Sequence, residues 1–230
     1  MRQIFVDSRD RTSGTSSNFS IALPHTLALE SGHQGRIDDL RIPNSMTTIS
    51  NLNKSIELLI GSTPYTKELP VGQVNSGPEL ANLIRQQLQT TTGNWTVEYK
   101  VNKMELVVSC DLAFTFTGGT FIKQLLARPY EQTSNSYTFL YVPLQGVDIC
   151  YLCCSNFTHL DSVGPKGASD CICSIPMTVP YGAVQTYSMS SSVFFDIPAL
   201  TTQQLSFQLR DRDYNLLNSS ANISFTLTID

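Results

Sequence analysis

The last thirty residues, from Thr201 to Asp230, constrain the fold most. Leu205, Phe207 and Leu209 alternate with Ser206 and Gln208, and Ile223, Phe225, Leu227 and Ile229 alternate with Ser224, Thr226 and Thr228. A period of two puts apolar side chains on one face and polar ones on the other, the mark of a half-buried antiparallel strand. The connecting RDRDYNLLNSSAN is rich in Asp, Asn and Ser and suits a turn. The pattern predicts a C-terminal hairpin that serves as the inner pair of a larger sheet.

The same alternation recurs upstream. Phe19, Ile21 and Leu23 share a face in a strand that Pro24 should stop, and a strand from Arg36 to Ile42 ends at Pro43 and Asn44. Ile56 to Ile60, Lys67 to Val71, Trp95 to Val101, Met104 to Val108, Phe114 to Phe116 and Tyr137 to Tyr141 follow as strands. Val147 to Leu152, Cys171 to Met177, Val184 to Met189 and Val193 to Phe195 complete the set. One segment changes period. Leu80, Leu83, Ile84 and Leu88 fall on one helical face, Ser76 and Glu79 read as a capping box, Pro78 sits in the first turn and Gly93 is a stop. The expected fold is all-β, a single jelly-roll β-sandwich with a short helical insertion over 76–92. A second short helix is expected in TFIKQLLAR, closed by Pro129. With no repeat and no long linker, the chain reads as one domain over 1–230, with 1–16 as an N-terminal arm.

Charged residues make up 15% of the 230 residues, against about 25% in an average globular chain. Ser, Thr, Asn and Gln take their place, which suits a sandwich or a closely packed assembly subunit. A net charge of -4 gives no nucleic-acid footprint, so proteins are the expected partners. The start, MRQIFVDSRD, carries charge too early for a secretory signal, and no run reaches the length of a membrane helix. The expectation is a chain made inside a cell, with no membrane insertion and with its six cysteines reduced.

Five of those cysteines cluster. Cys150, Cys153 and Cys154 form a CxxCC run, and Cys171 and Cys173 a CxC, a spacing that can supply zinc ligands. Both runs read as strands without the tight glycine turns of a zinc knuckle, so core thiols are the better reading. In that reading Cys150 and Cys154 face one way and Cys153 the other, while Cys171 and Cys173 share a face. His25, His33 and His159 belong to no catalytic motif, and no cofactor fingerprint occurs. No enzyme activity, catalytic residue, metal or cofactor is expected. The aspartates lie mostly beside arginines, in Asp7, Arg9, Asp10 and Arg11 and again in Arg210, Asp211, Arg212 and Asp213.

The order of segments carries a resemblance. FVDSRDR, a Ser/Gly link into NFSIALP, a strand ending in RIPNS, a helix after a Pro/Gly turn, then LRDRDYN and ISFTLTI together resemble the single jelly-roll penton (vertex) proteins of virophages, Polintons and adintoviruses. The resemblance implies a homopentamer at the five-fold vertex of an icosahedral virion, touching major capsid trimers and minor capsid or cement proteins. It implies no catalytic residues. Asp7, Arg9, Arg11, Arg210, Asp211 and Asp213 become the expected inter-subunit or capsid contacts. Two departures stand out: Asp211 is followed by Arg212, Asp213 and Tyr214 where such proteins carry a turn glycine, and Val74 replaces an aromatic before the helix. Some vertex proteins also hold a large receptor-binding insertion, and no segment here looks long enough to be one. The alternative is a β-sandwich ligand- or carbohydrate-binding module or fibre head, which would need a shelf of exposed aromatics; the alternation of Trp95 with Val97 and Tyr99 places this tryptophan in a core instead.

Overall fold

The alternating stretches become antiparallel strands, as expected of an all-β chain. The computed structural model describes residues 1–126, 132–140, 142, 144, 146–157, 163–190 and 194–230. Pro129, Tyr141, His159 and Val193, each given a place above, lie outside the described residues. In chain order the elements are β1 (Arg2–Asp7), β2 (Ser13–Gly14), β3 (Asn18–Leu29), β4 (His33–Pro43), β5 (Ser55–Ile60), β6 (Thr63–Glu68), α1 (Gly77–Leu88), β7 (Trp95–Lys100), β8 (Glu105–Gly118), α2 (Thr120–Leu126) and β9 (Ser134–Phe139). They continue with β10 (Ile149–Cys154), β11 (Cys171–Pro176), β12 (Val184–Tyr187), β13 (Phe195–Ile197), β14 (Leu200–Arg210) and β15 (Ser224–Ile229).

These elements form two compact units, Met1–Met46 with Val147–Asp230, and Thr47–Gly146. Each unit has its own buried apolar cluster. No linker announces the division, because both units are built from the same period-two strands.

The first unit is a jelly-roll-like sandwich. One sheet runs β1-β15-β4, with β12 and β13 pairing separate lengths of β4; the other runs β11-β10-β14-β3-β2. The expected C-terminal hairpin does not form. β14 pairs with β10 and β3, whereas β15 pairs with β1 and β4, so the two strands lie in different sheets. They meet through their side chains: the Phe207 and Phe225 rings stand edge to face with centroids 5.0 Å apart. Phe19 joins Phe207 from the neighbouring β3, at 5.8 Å. Both strands are interior, as expected, but each at the centre of its own sheet.

Pro24 does not stop its strand. β3 continues to Leu29, and Pro24 falls opposite a register irregularity between Thr202 and Gln204, where a missing amide costs no ladder bond. The polar face of β15 is also drier than its pattern implied. Thr226 and Thr228 are buried, and the Thr228 hydroxyl donates to Asp38 at 3.0 Å, a carboxylate that Arg36 also pairs.

The second unit holds one sheet, β6-β5-β8-β7 with β9 on β8, and α1 packs beside β7. The helix starts as its sequence predicts. Ser76 Oγ accepts from the Glu79 amide at 3.3 Å, and the Glu79 carboxylate accepts from the Asn75 amide at 2.9 Å. Leu80, Ala81, Ile84 and Leu88 are buried. Gly77 is required by close approach, since a Cβ there would lie 1.9 Å from the Tyr99 ring. The helix thus covers the sheet of its own unit.

Candidate functional site

The first group of expected contact residues sits where β1 turns out of the sheet. Asp7 caps a single 3-10 turn by accepting from the Arg9 amide at 2.8 Å, and its carboxylate is gripped by the Arg9 guanidinium at 2.5 to 3.0 Å. The Arg9 hydrogen bonds hold the Asp7 carboxyl below its ordinary range. Arg11 donates to the Ser8 carbonyl at 2.7 Å and reaches Asn222 at 3.4 Å. A cleft beside them is lined by Asp7, Arg9, Asn222, Ile223 and Ser224. β1 is laddered to β15 from Arg2↔Ile229 to Asp7↔Ser224, and β2 is laddered to β3.

The second group closes the turn after β14. Asp211 accepts from the Asn215 amide at 2.8 Å and from its side-chain nitrogen at 3.1 Å. Arg210 donates to the Tyr214 carbonyl at 2.7 Å, and its guanidinium lies 4.2 Å from the centre of the Tyr214 ring. Asp213 is exposed and meets Lys166 at 3.6 Å, while Arg212 pairs with Asp148. The charged residues of both groups are thus held in local turns, with Arg9, Arg212 and Asp213 leaving much of their side chains in solvent.

Tyr214 is the residue that sequence reasoning passed over. Its φ of 65° is left-handed, a conformation that favours glycine. The missing turn glycine was the signal: the turn keeps the left-handed position and fills it with tyrosine. The Tyr214 hydroxyl donates to Asp170, just before β11. Burial, and then the bond to Asp170, push its pKa above the ordinary tyrosine value.

Under this turn lie two of the five clustered cysteines. Leu152 pairs with Cys173 and Cys153 with Cys171, with a bulge between. Ile172 is the extra residue, so Cys171 and Cys173 face opposite sides of the sheet, which corrects the expectation that they share a face. Cys150, Cys154 and Cys173 belong to the apolar core of the sandwich, and Cys153 and Cys171 are buried outside it. The CxxCC and CxC runs therefore do not converge on one point. Among the described residues, no group of three or more His, Cys, Asp or Glu side chains is arranged to hold a metal ion. Burial pushes the Cys150 and Cys154 thiols up to about 12 and raises Cys173 as well. Trp95, weighed above as a ligand platform, is buried, and its Nε1 donates to Thr91 at 2.9 Å.

No protein-family model matches the chain, and no curated protein matches its sequence. Among the solved structures similar to it is one matched end to end. This is the crystal structure of the selenomethionine-labelled mavirus penton protein, with 7% sequence identity, a TM-score of 0.49, and a match that covers 100% of this chain and 99% of that one. No helix among the described residues is long and apolar enough to cross a membrane.

Proposed function

We propose that this chain is a structural subunit of an icosahedral virus capsid, forming the pentameric vertex. The observation that carries the reading is where the resembling segments fall. FVDSRDR runs from β1, RIPNS ends β4 and ISFTLTI is β15, and these three strands are neighbours in one sheet, in the order β1-β15-β4. NFSIALP opens β3 and LRDRDYN leaves β14, and those two strands pair with each other in the second sheet. Segments scattered through the sequence thus come together on neighbouring strands of the sandwich.

A ring of five copies uses a heterologous interface that closes on rotation. The low charge of the chain favours such contacts, because a charge buried at an interface needs a partner. In this reading the partners are further copies of the chain, major capsid trimers, and minor capsid or cement proteins, and the chain resides in the virion. The Thr47–Gly146 unit is our candidate for the insertion that some vertex proteins carry.

The test is the native mass of the full chain across concentration, alone and with the major capsid protein co-expressed. A species of five chains in either setting supports the vertex role. A monomer in both settings sinks it.

A further inference from the structure

Cys153 and Cys171 stand opposite each other in the β10–β11 ladder. The Cys154 amide donates to the Asp170 carbonyl at 3.0 Å, which makes 154 and 170 a hydrogen-bonded pair. Their neighbours 153 and 171 then form the close, non-hydrogen-bonded pair, in which facing Cα atoms lie about 4.5 Å apart with both side chains on one side. That spacing falls inside the range of about 4.4 to 6.8 Å that a disulfide spans. The bulge at Ile172 creates this arrangement, since without it Cys171 would point into the core.

The pair has a cover. A Cβ on Gly164 would lie 2.7 Å from Cys171 Cβ and 3.3 Å from its Sγ, so the Gly164 backbone rests against that side chain. The turn it begins is closed by Gly164 donating to Ala168 at 2.7 Å and is joined to the Tyr214 turn by Lys166 donating to the Asp213 carbonyl at 2.6 Å. Tyr214 adds its bond to Asp170. Cys153 is fully buried and Cys171 is 6% exposed. A hydrogen bond with Cys171, and then burial, raise the Cys153 thiol well above its ordinary value, so it stays protonated while the cover is shut.

We propose that Cys153 and Cys171 are an oxidisable pair, closing to a cross-strand disulfide when the chain meets a low-molecular-weight disulfide such as oxidised glutathione. The Cys171 thiolate attacks one sulfur of the small disulfide, forming a mixed disulfide and expelling one thiolate. The Cys153 thiolate then attacks the Cys171 sulfur, the Cys153–Cys171 bond forms, and the second small thiolate leaves. Two electrons pass to the oxidant, and the two protein protons end on the two thiols released. The bond ties edge strand β11 to β10, and opening of the Gly164–Asp170 cover gates it. This inference does not depend on the capsid reading, because it rests on the strand register and the turn that covers the pair.

The full chain would be incubated with oxidised glutathione, unfolded, alkylated, and mapped without reduction. One bridge joining Cys153 to Cys171 is expected, with four of the six thiols still alkylated. A rise of several degrees in Tm that a reductant reverses should accompany it. Cys154→Ser and Cys150→Ser should keep the bridge, and Cys171→Ser should lose it. Six alkylated thiols after prolonged oxidation would overturn the proposal, as would a persistent glutathione adduct or a bridge between Cys150 and Cys173. The unsubstituted chain carries the decisive result, so a variant that fails to fold does not rescue or defeat it.

Discussion

Ser8 and Ile223 bind each other twice, once through each amide. The Ser8 amide donates to the Ile223 carbonyl at 2.9 Å, and the Ile223 amide donates to Ser8 Oγ at 3.0 Å. Ser8 is fully buried, and its hydroxyl also donates to Asn222 at 3.2 Å. The joint fastens the end of β1 to the start of β15.

Replacing Ser8 with Ala removes the acceptor and leaves the Ile223 amide unsatisfied. A loss of about 1 to 3 kcal/mol is expected, the cost of an unpaired buried donor. Urea unfolding checks it; stability equal to wild type would show that water satisfies the amide.

Deleting residues 1–16 should do far more. It removes β1 and β2, exposes the β15 edge, and takes the buried Val6 out of the core. The expected outcome is an insoluble chain or loss of cooperative unfolding in the first unit, seen by circular dichroism. A soluble deletion with wild-type Tm would mean that β1 contributes no stability.

Phe207 is fully buried between Phe19 and Phe225. Phe207→Ala should cost about 3 to 5 kcal/mol through the cavity it leaves. Phe207→Asp should prevent folding, because no partner awaits the charge. Cooperative unfolding of the Asp variant would show that the sandwich centre is misplaced.

Gly77→Ala would drive a methyl group into the Tyr99 ring and displace α1 from β7. Overpacking of this kind costs about 1 to 3 kcal/mol. Tyr99→Ala in the same chain should recover much of the loss, and a double-mutant cycle reads the coupling. Additive effects would place the ring elsewhere.

Asp7 sets a pH dependence. Its folded pKa lies below the unfolded value of about 3.9, so its contribution to stability is complete above that value and is lost as pH falls through the folded pKa. Wild type should therefore lose stability in acid more steeply than Asp7→Asn. Parallel curves below about pH 4 would show that the Arg9 pairing does not couple to folding.

Much of this architecture is legible in residue patterns. The alternation identifies the strands, and Ser76, Pro78 and Glu79 locate α1 because a cap is a local contest won within four residues. Pairing is another matter. Phe207 and Phe225 announce which faces are apolar, but a period of two says the same whether two strands share a sheet or oppose each other across a core. The thirteen residues between β14 and β15 permit both. Pro24 misleads because its tolerance depends on a distant irregularity at Thr202 and Gln204. The thiol pair is hidden for a similar reason, since one bulged residue, Ile172, reverses the face that Cys171 takes. Tyr214 leaves a trace only as an absent glycine.

The adjacency of β1 and β15 bears on synthesis. Residues Arg2 to Asp7 leave the ribosome long before Ser224 to Ile229, the partners for which they must wait. The Thr47–Gly146 unit has no such debt, because all of its strands have emerged before β10 is translated. The expected order is inside-out, with the middle of the chain folding while its flanks remain open, and the sandwich closing afterwards through contacts of the longest sequence separation. During that interval the unpaired apolar edges of β1, β3 and β4 are the surfaces that a chaperone would have to shield.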